Sequence, residues 1–154
     1  MTEPRPDSAM DYLQADHRRL DGLMGECQAK ARAGEMGTAG EVFARFRDGL
    51  VRHIKIEEGL LFPVFEKATG LPKTGGPTGV MRQEHEEILR LLGLLRELFG
   101  SADPAPAEFE SLQSTLVALL HEHNLKEERI LYPMTDSQVP PEQLRDLVAK
   151  MKAF

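Results

Sequence analysis

The sequence predicts an all-α protein: an up-down-up-down antiparallel four-helix bundle with a short fifth helix at the C-terminal end. Three observations predict it. Apolar residues recur in alternating steps of three and four through four long stretches, which is the spacing of a helical seam. Joins rich in glycine and proline separate those stretches. The chain also repeats itself. At an offset of 70 positions, His53, Glu57, Glu58, Leu61, Phe62 and Pro63 fall on His123, Glu127, Glu128, Leu131, Tyr132 and Pro133. Two long-range copies of one segment mean two halves rather than a solenoid.

Residues 1–7 hold two prolines and no apolar pattern and read as a loose N-terminal arm, with Asp7 or Ser8 as the cap of the first helix. That helix carries Met10, Leu13, His17, Leu20, Met24, Cys27 and Ala31 on one seam. Three glycines within 34–40 predict a turn, followed by a capping box of Thr38 and Glu41. The second seam is Phe43, Phe46, Leu50, His53, Glu57, Leu60 and Val64, and Pro63 should end or kink its helix. Residues 69–79 form the longest loop-like stretch. The third seam is Met81, His85, Ile88, Leu92, Leu95 and Phe99. The fourth, after a break at 100–106, is Phe109, Leu112, Leu116, Leu120, His123, Glu127, Ile130 and Met134. Two prolines at 140 and 141 open the fifth helix, with Leu144, Leu147, Val148 and Met151 on its apolar side. The bundle is thus expected over 8–139 and the C-terminal amphipathic helix, packed on it, over 140–154.

With 154 residues the chain reads as one domain. A net charge of −6 argues against non-specific nucleic-acid binding and against an anionic membrane surface. The longest uncharged apolar-leaning run, 111–120, is far too short to span a bilayer. The start has no apolar signal region, and the single cysteine cannot form an internal disulfide. A cytoplasmic protein is the expectation.

Six polar residues stand on the seams where leucine would otherwise be: His17, His53, Glu57, His85, His123 and Glu127. A lone histidine on a seam is ordinarily a core residue satisfied by one hydrogen bond. Six such groups on one axis are different, because each buried carboxylate costs several kcal/mol unless charge compensates it. A bound cation pair compensates both glutamates and takes the imidazole lone pairs; the donors suit iron, zinc, manganese or copper. Six donors exceed the four of a structural zinc, and two ions share them, each with two histidines and one oxygen from each of two bridging glutamates. Glu-x-x-His, the ferritin-like pattern, is absent.

The order His17, then His53-x-x-x-Glu57, then His85, then His123-x-x-x-Glu127 resembles the hemerythrin-like (HHE cation-binding) family, from Asp16 to Pro133. The resemblance implies a four-helix bundle with a non-haem centre of two iron ions, bridged by oxo or hydroxo. It makes His17, His53, His85 and His123 the terminal ligands and Glu57 and Glu127 the bridges. It also implies binding of dioxygen, nitric oxide or peroxide, with a role in oxidative or nitrosative stress; whether this is catalysis stays open. Oxygen-carrying members have a fifth histidine where this chain has Met81, and His-x4-Asp where it has His-x3-Glu. The four-His, two-Glu set is similar to bacterial members linked to nitric oxide, peroxide and iron–sulfur repair. An iron donor to iron–sulfur centres and a non-catalytic metal-stabilised module are the rival readings. A redox partner and self-association through the fifth helix are left open.

Of the other polar residues, His121 reads as a surface or helix-interface histidine. Glu58 and Glu128 read either as partners of a ligand imidazole or, by preference, as a solvated face. Cys27 reads as a packing thiol and Met81 as packing over the site. Tyr12 and Tyr132 fall off the seams and receive no role.

Overall fold

The computed structural model describes residues 8–154, so the arm expected at 1–7 lies outside the described residues. The elements are α1 (Ala9–Arg32), α2 (Met36–Ile56), a π-helical turn (Glu57–Leu61), α3 (Phe62–Thr69), α4 (Pro77–Gly100), α5 (Pro106–Lys126), a second π-helical turn (Glu127–Leu131), α6 (Tyr132–Gln138) and α7 (Pro141–Ala153). No strand occurs among the described residues. Each π turn joins its two α segments into one continuous rod, so the chain makes four long rods and a short fifth helix. The all-α bundle is as expected.

Ser8 caps α1 by accepting from the Asp11 N–H at 2.9 Å. Asp136 of α6 accepts from the Ala9 and Met10 N–H groups at 2.8 and 3.1 Å, which ties the start of α1 to the end of the fourth rod. The first turn is shorter than expected. Gly34, at φ 81°, turns the chain, and α2 begins at Met36 without a side-chain cap, so Thr38 and Glu41 lie inside the helix. The loop between α3 and α4 is also shorter, 70–76, and opens on Gly70 at φ 71°. Proline stands at the first position of α4, α5 and α7, where its missing N–H has no intrahelical partner to lose. α1 and α2 approach closely at Gly49, where a Cβ would come within 2.7 Å of Leu20 Cδ2.

The two π turns are the principal departure from expectation. Neither Pro63 nor Pro133 ends its helix. Instead the N–H of Phe62 bonds to the Glu57 carbonyl and that of Tyr132 to the Glu127 carbonyl, five residues back. One extra residue is thus absorbed into the turn ahead of each proline, and the helix avoids the clash a proline ring makes with the preceding turn. The extra residue rotates everything downstream. Leu61, Phe62 and Phe65 are buried, while Leu60 and Val64, expected on the seam, are only half-buried. In the second copy Leu131 and Tyr132 are buried and Ile130 is exposed.

The core has two apolar clusters. One includes Leu20, Met24, Phe43, Phe46, Leu50, Ile88, Leu92, Leu95, Phe109 and Leu116. The other gathers Leu13, Ile56, Leu61, Phe62, Phe65, Met81, Leu131 and Tyr132 with Leu144, Leu147 and Met151 of α7. α7 is held by Arg52, which donates to the carbonyls of Met151 and Phe154, and by the Tyr12 hydroxyl, which donates to the Met151 carbonyl at 3.2 Å. Along each rod the seam histidine lies between residues of the two clusters: Leu13 and Leu20 flank His17, and Met81 and Ile88 flank His85. A polar layer therefore crosses the bundle between two apolar halves.

Candidate metal centre

All six seam residues meet in that layer, each 0–3 % exposed. The imidazoles form two pairs. His17 and His53 have ring centroids 4.7 Å apart, and His85 and His123 are 4.9 Å apart. The glutamates lie between the pairs. Glu57 Oε1 is 3.6 Å from His53 Nε2 and 3.1 Å from His85 Nε2. Glu127 Oε1 is 3.3 Å from His123 Nε2 and 3.1 Å from His17 Nε2. Each carboxylate thus reaches one histidine of its own rod, one turn away, and one of the other pair.

Every imidazole is oriented by a second carboxylate on its outer nitrogen. His17 Nδ1 donates to Glu128 Oε2 at 2.9 Å, His53 Nδ1 to Asp16 Oδ2 at 2.8 Å, His85 Nδ1 to Glu58 Oε2 at 2.7 Å and His123 Nδ1 to Glu84 Oε1 at 2.8 Å. These contacts leave all four Nε2 atoms turned inward. Three of the four acids are held in turn, Asp16 by Arg19, Glu128 by Gln14 and Glu84 by Lys126. Glu58 and Glu128 are therefore imidazole partners and not simply a solvated face, although they remain 39 % and 23 % exposed. Asp16 and Glu84 escaped the sequence reading. The signal for them was their place, each one residue ahead of its rod's histidine.

Within the layer imidazoles and carboxylates favour one another's charged forms. Burial works against a charged His53, but the Glu57 carboxylate and the Asp16 hydrogen bond outweigh it and raise the imidazole to about 10. His85 is raised to about 9 against its burial by the nearby Glu57 carboxylate and by the hydrogen bond it donates to Glu58. His123 is raised, despite burial, by Glu127. Burial also opposes ionisation of Glu57, yet the His53 charge and hydrogen bonds hold its carboxyl well below the usual range.

The donor set fits metal. Four buried side-chain polar atoms among the described residues lack a hydrogen-bond partner, and three of them, Glu57 Oε1, His85 Nε2 and Glu127 Oε2, lie here. His85 Nε2 stands 3.1 Å from Glu57 Oε1 without the alignment of a hydrogen bond. Such atoms are costly when left unpaired, and a cation takes all three. Two groups have ligand atoms close enough to hold an ion: Glu57, His85, His123 and Glu127 in one, and His17, His53 and Glu127 in the other.

Tyr132, given no role by the sequence, reaches the layer at its His17–His53 end and is fully buried. Its hydroxyl donates to Glu57 Oε2 at 2.7 Å and Glu127 Oε1 at 3.0 Å, and lies 3.2 Å from His17 Nε2 and 3.3 Å from His53 Nε2. Burial above all, then the two glutamates, raises this phenol well above its ordinary value. The π turn puts it there: on an unbroken α-helix a residue five after Glu127 points away from it, but in a π turn the two lie on one face. Its counterpart Phe62 stacks on His85, centroids 5.8 Å apart and planes 5° from parallel.

Met81 is buried in the apolar cluster that includes Phe62 and the inner face of α7. Cys27 is buried, donating to the Ala39 carbonyl at 3.3 Å. His121 is exposed. It lines a cleft of about 420 Å³ between α1 and α5, together with Arg18, Gly25, Gln28 and Asn124, and His17 forms part of the wall. No helix among the described residues is long and apolar enough to cross a membrane.

Fold and site together define an all-α bundle protein with a buried His/Glu cluster able to hold metal. The chain belongs to the hemerythrin family: the model of the hemerythrin HHE cation-binding domain matches residues 8–135. No curated protein and no solved structure matches it.

Proposed function

We propose that the chain is a non-haem di-iron protein that binds dioxygen or a related small molecule, nitric oxide or peroxide, and serves in handling or sensing reactive species. The observation that carries this reading is the pairing of four inward Nε2 atoms around two shared, buried carboxylates. His17 and His53 would hold one ion and His85 and His123 the other, with the buried carboxylates of Glu57 and Glu127 between the two pairs as shared ligands. Iron, rather than zinc, rests on the family. When bound, the ion pair supplies reversible one-electron chemistry and affinity for small diatomic ligands.

The protein's own part is orientation and exclusion. Asp16, Glu58, Glu84 and Glu128 fix each imidazole's tautomer and raise its basicity as a donor. The two apolar clusters keep bulk water from the layer, which strengthens every charge interaction within it. The cleft between α1 and α5 brings a small molecule as far as the His17 edge. Closure of the site favours retained iron over donated iron: all six ligands are 0–3 % exposed, whereas a donor to iron–sulfur centres needs metal that leaves readily.

The test is anaerobic reconstitution with Fe(II), then exposure to air and to peroxide, with iron content and absorption followed throughout. Roughly two irons per chain, near-ultraviolet oxo-to-iron bands and loss of both in His53→Ala and His123→Ala are expected. One iron or none, unchanged in those variants, overturns the reading.

A further inference from the structure

We infer that the Tyr132 phenolic oxygen is a metal donor at the His17–His53 end of the cluster, so that the two metal positions are chemically unlike. The inference rests on the metal-centre reading above.

The two candidate groups are unequal. Four His and Glu residues converge at His85 and His123, but only three at His17 and His53. The Tyr132 oxygen stands at the poorer end and makes up the difference. Its spacing is that of a donor. Adjacent donors on one ion, at bond lengths of about 2.1 Å, lie about 3 Å apart. Tyr132 Oη lies 2.7, 3.0, 3.2 and 3.3 Å from Glu57 Oε2, Glu127 Oε1, His17 Nε2 and His53 Nε2.

Hydrogen bonding alone accounts poorly for this position. A phenol has one hydrogen to give, and two carboxylates compete for it at 2.7 and 3.0 Å. Nor does packing require the hydroxyl. At the repeat-related position Phe62 fills the same kind of space against His85 with no heteroatom, and a buried hydroxyl is costly unless something uses it. Binding is an exchange: the O–H bond breaks, an oxygen–metal bond forms, and the proton leaves to solvent. The cation draws the two glutamates away from the proton they hold in its absence.

Full-length protein and its Tyr132→Phe variant, both loaded with iron and oxidised to Fe(III), give the test. The expected result for the parent is a visible tyrosinate-to-iron charge-transfer band with resonance-enhanced phenolate ring vibrations. Tyr132→Phe should lose both while keeping native helicity and iron at the His85–His123 end. Tyr12→Phe, which changes the chain's other tyrosine, should keep both. Parent protein that binds iron but shows no phenolate vibrations, or a Tyr132→Phe variant that retains them, overturns the inference and leaves Tyr132 a hydrogen-bond donor. Failure of parent and variant alike to bind iron overturns the metal-centre reading itself, and this inference with it.

Discussion

Replacing Asp16 by asparagine removes the charge that orients His53 and keeps the side chain's shape. The contact is short, 2.8 Å from Asp16 Oδ2 to His53 Nδ1, with 11 % and 2 % of the side chains exposed, so solvent screens it little. A hydrogen bond between charged groups contributes about 1.5–3 kcal/mol. Asparagine retains a neutral acceptor, which puts the loss at about 1–2 kcal/mol. For a domain of this size that is a fall of roughly 2–8 °C in Tm. The effect must depend on pH. His53 is raised in the folded chain to about 10, so its stabilisation is complete below the unfolded value near 6.5 and is lost as pH rises through about 10. Asp16, although burial opposes it, is lowered by His53. Its share is present above about 3.9 and is lost as pH falls through the folded value. Thermal unfolding of metal-free protein should therefore separate parent and Asp16→Asn most between about pH 4 and 6.5, and least above about pH 10. With metal present, loss of the partner should weaken binding by about 10–100-fold. A constant Tm difference across pH, or none, would refute the charge argument.

Three further outcomes follow from the packing. Deleting Gly59, where an added Cβ would meet no atom within 4 Å, should convert the first π turn to α-helix and leave Phe62 four residues after Glu57, on the same face, so that Phe62 and Phe65 stay in the core. Urea denaturation should then show only a small change in stability, and a loss on the order of 3–5 kcal/mol, the cost of removing a buried phenylalanine from a core, would refute this account of the turn. Removing residues 141–154 uncovers the cluster that Leu144, Leu147 and Met151 help to bury. At about 1.5–3 kcal/mol for each side chain, the truncated chain should melt well below the parent and bind a hydrophobic dye. Burial, and then Glu26, pushes the Cys27 thiol up to about 11; at neutral pH a thiol reagent should label the unfolded chain and leave the folded one unmodified.

The bundle was legible because its seams are regular. Nearly every apolar residue expected on α1, α4 and α7 is buried, and the six metal-donor candidates stood out as polar interruptions of those seams. The errors cluster after Glu57 and Glu127. Periodicity counted at 3.6 residues per turn runs straight through a π turn and emerges one residue out of phase. Leu60 and Ile130 were therefore expected inside, and Tyr132 outside. Pro63 and Pro133 were visible as a problem for the helix, but a proline does not say whether the chain will break or take up a residue. The acids on the imidazoles were obscured for another reason. Asp16 and Glu84 lie beside the seam, where acids are ordinarily solvated, and their partners sit on other rods. Glu66 is similar: buried, it accepts from Thr78 at 2.6 Å and Arg82 at 2.7 Å across the loop from α3 to α4, and no local pattern marks it.

The four carboxylate–imidazole contacts run in one direction. Asp16 of the first rod holds His53 of the second, Glu58 of the second holds His85 of the third, Glu84 of the third holds His123 of the fourth, and Glu128 of the fourth holds His17 of the first. In the first and third rods the acid comes one residue before an inward-facing side chain; in the second and fourth it comes one after. Because alternate rods are antiparallel, before and after swing the acid the same way round the axis. A right-handed helix turns about 100° per residue, so that one-residue offset aims each acid at one neighbour and away from the other. An up-down-up-down bundle can be wound clockwise or counter-clockwise with the same seams buried. The circuit closes for only one of the two, so the chirality of single residues is carried up to the hand of the whole bundle.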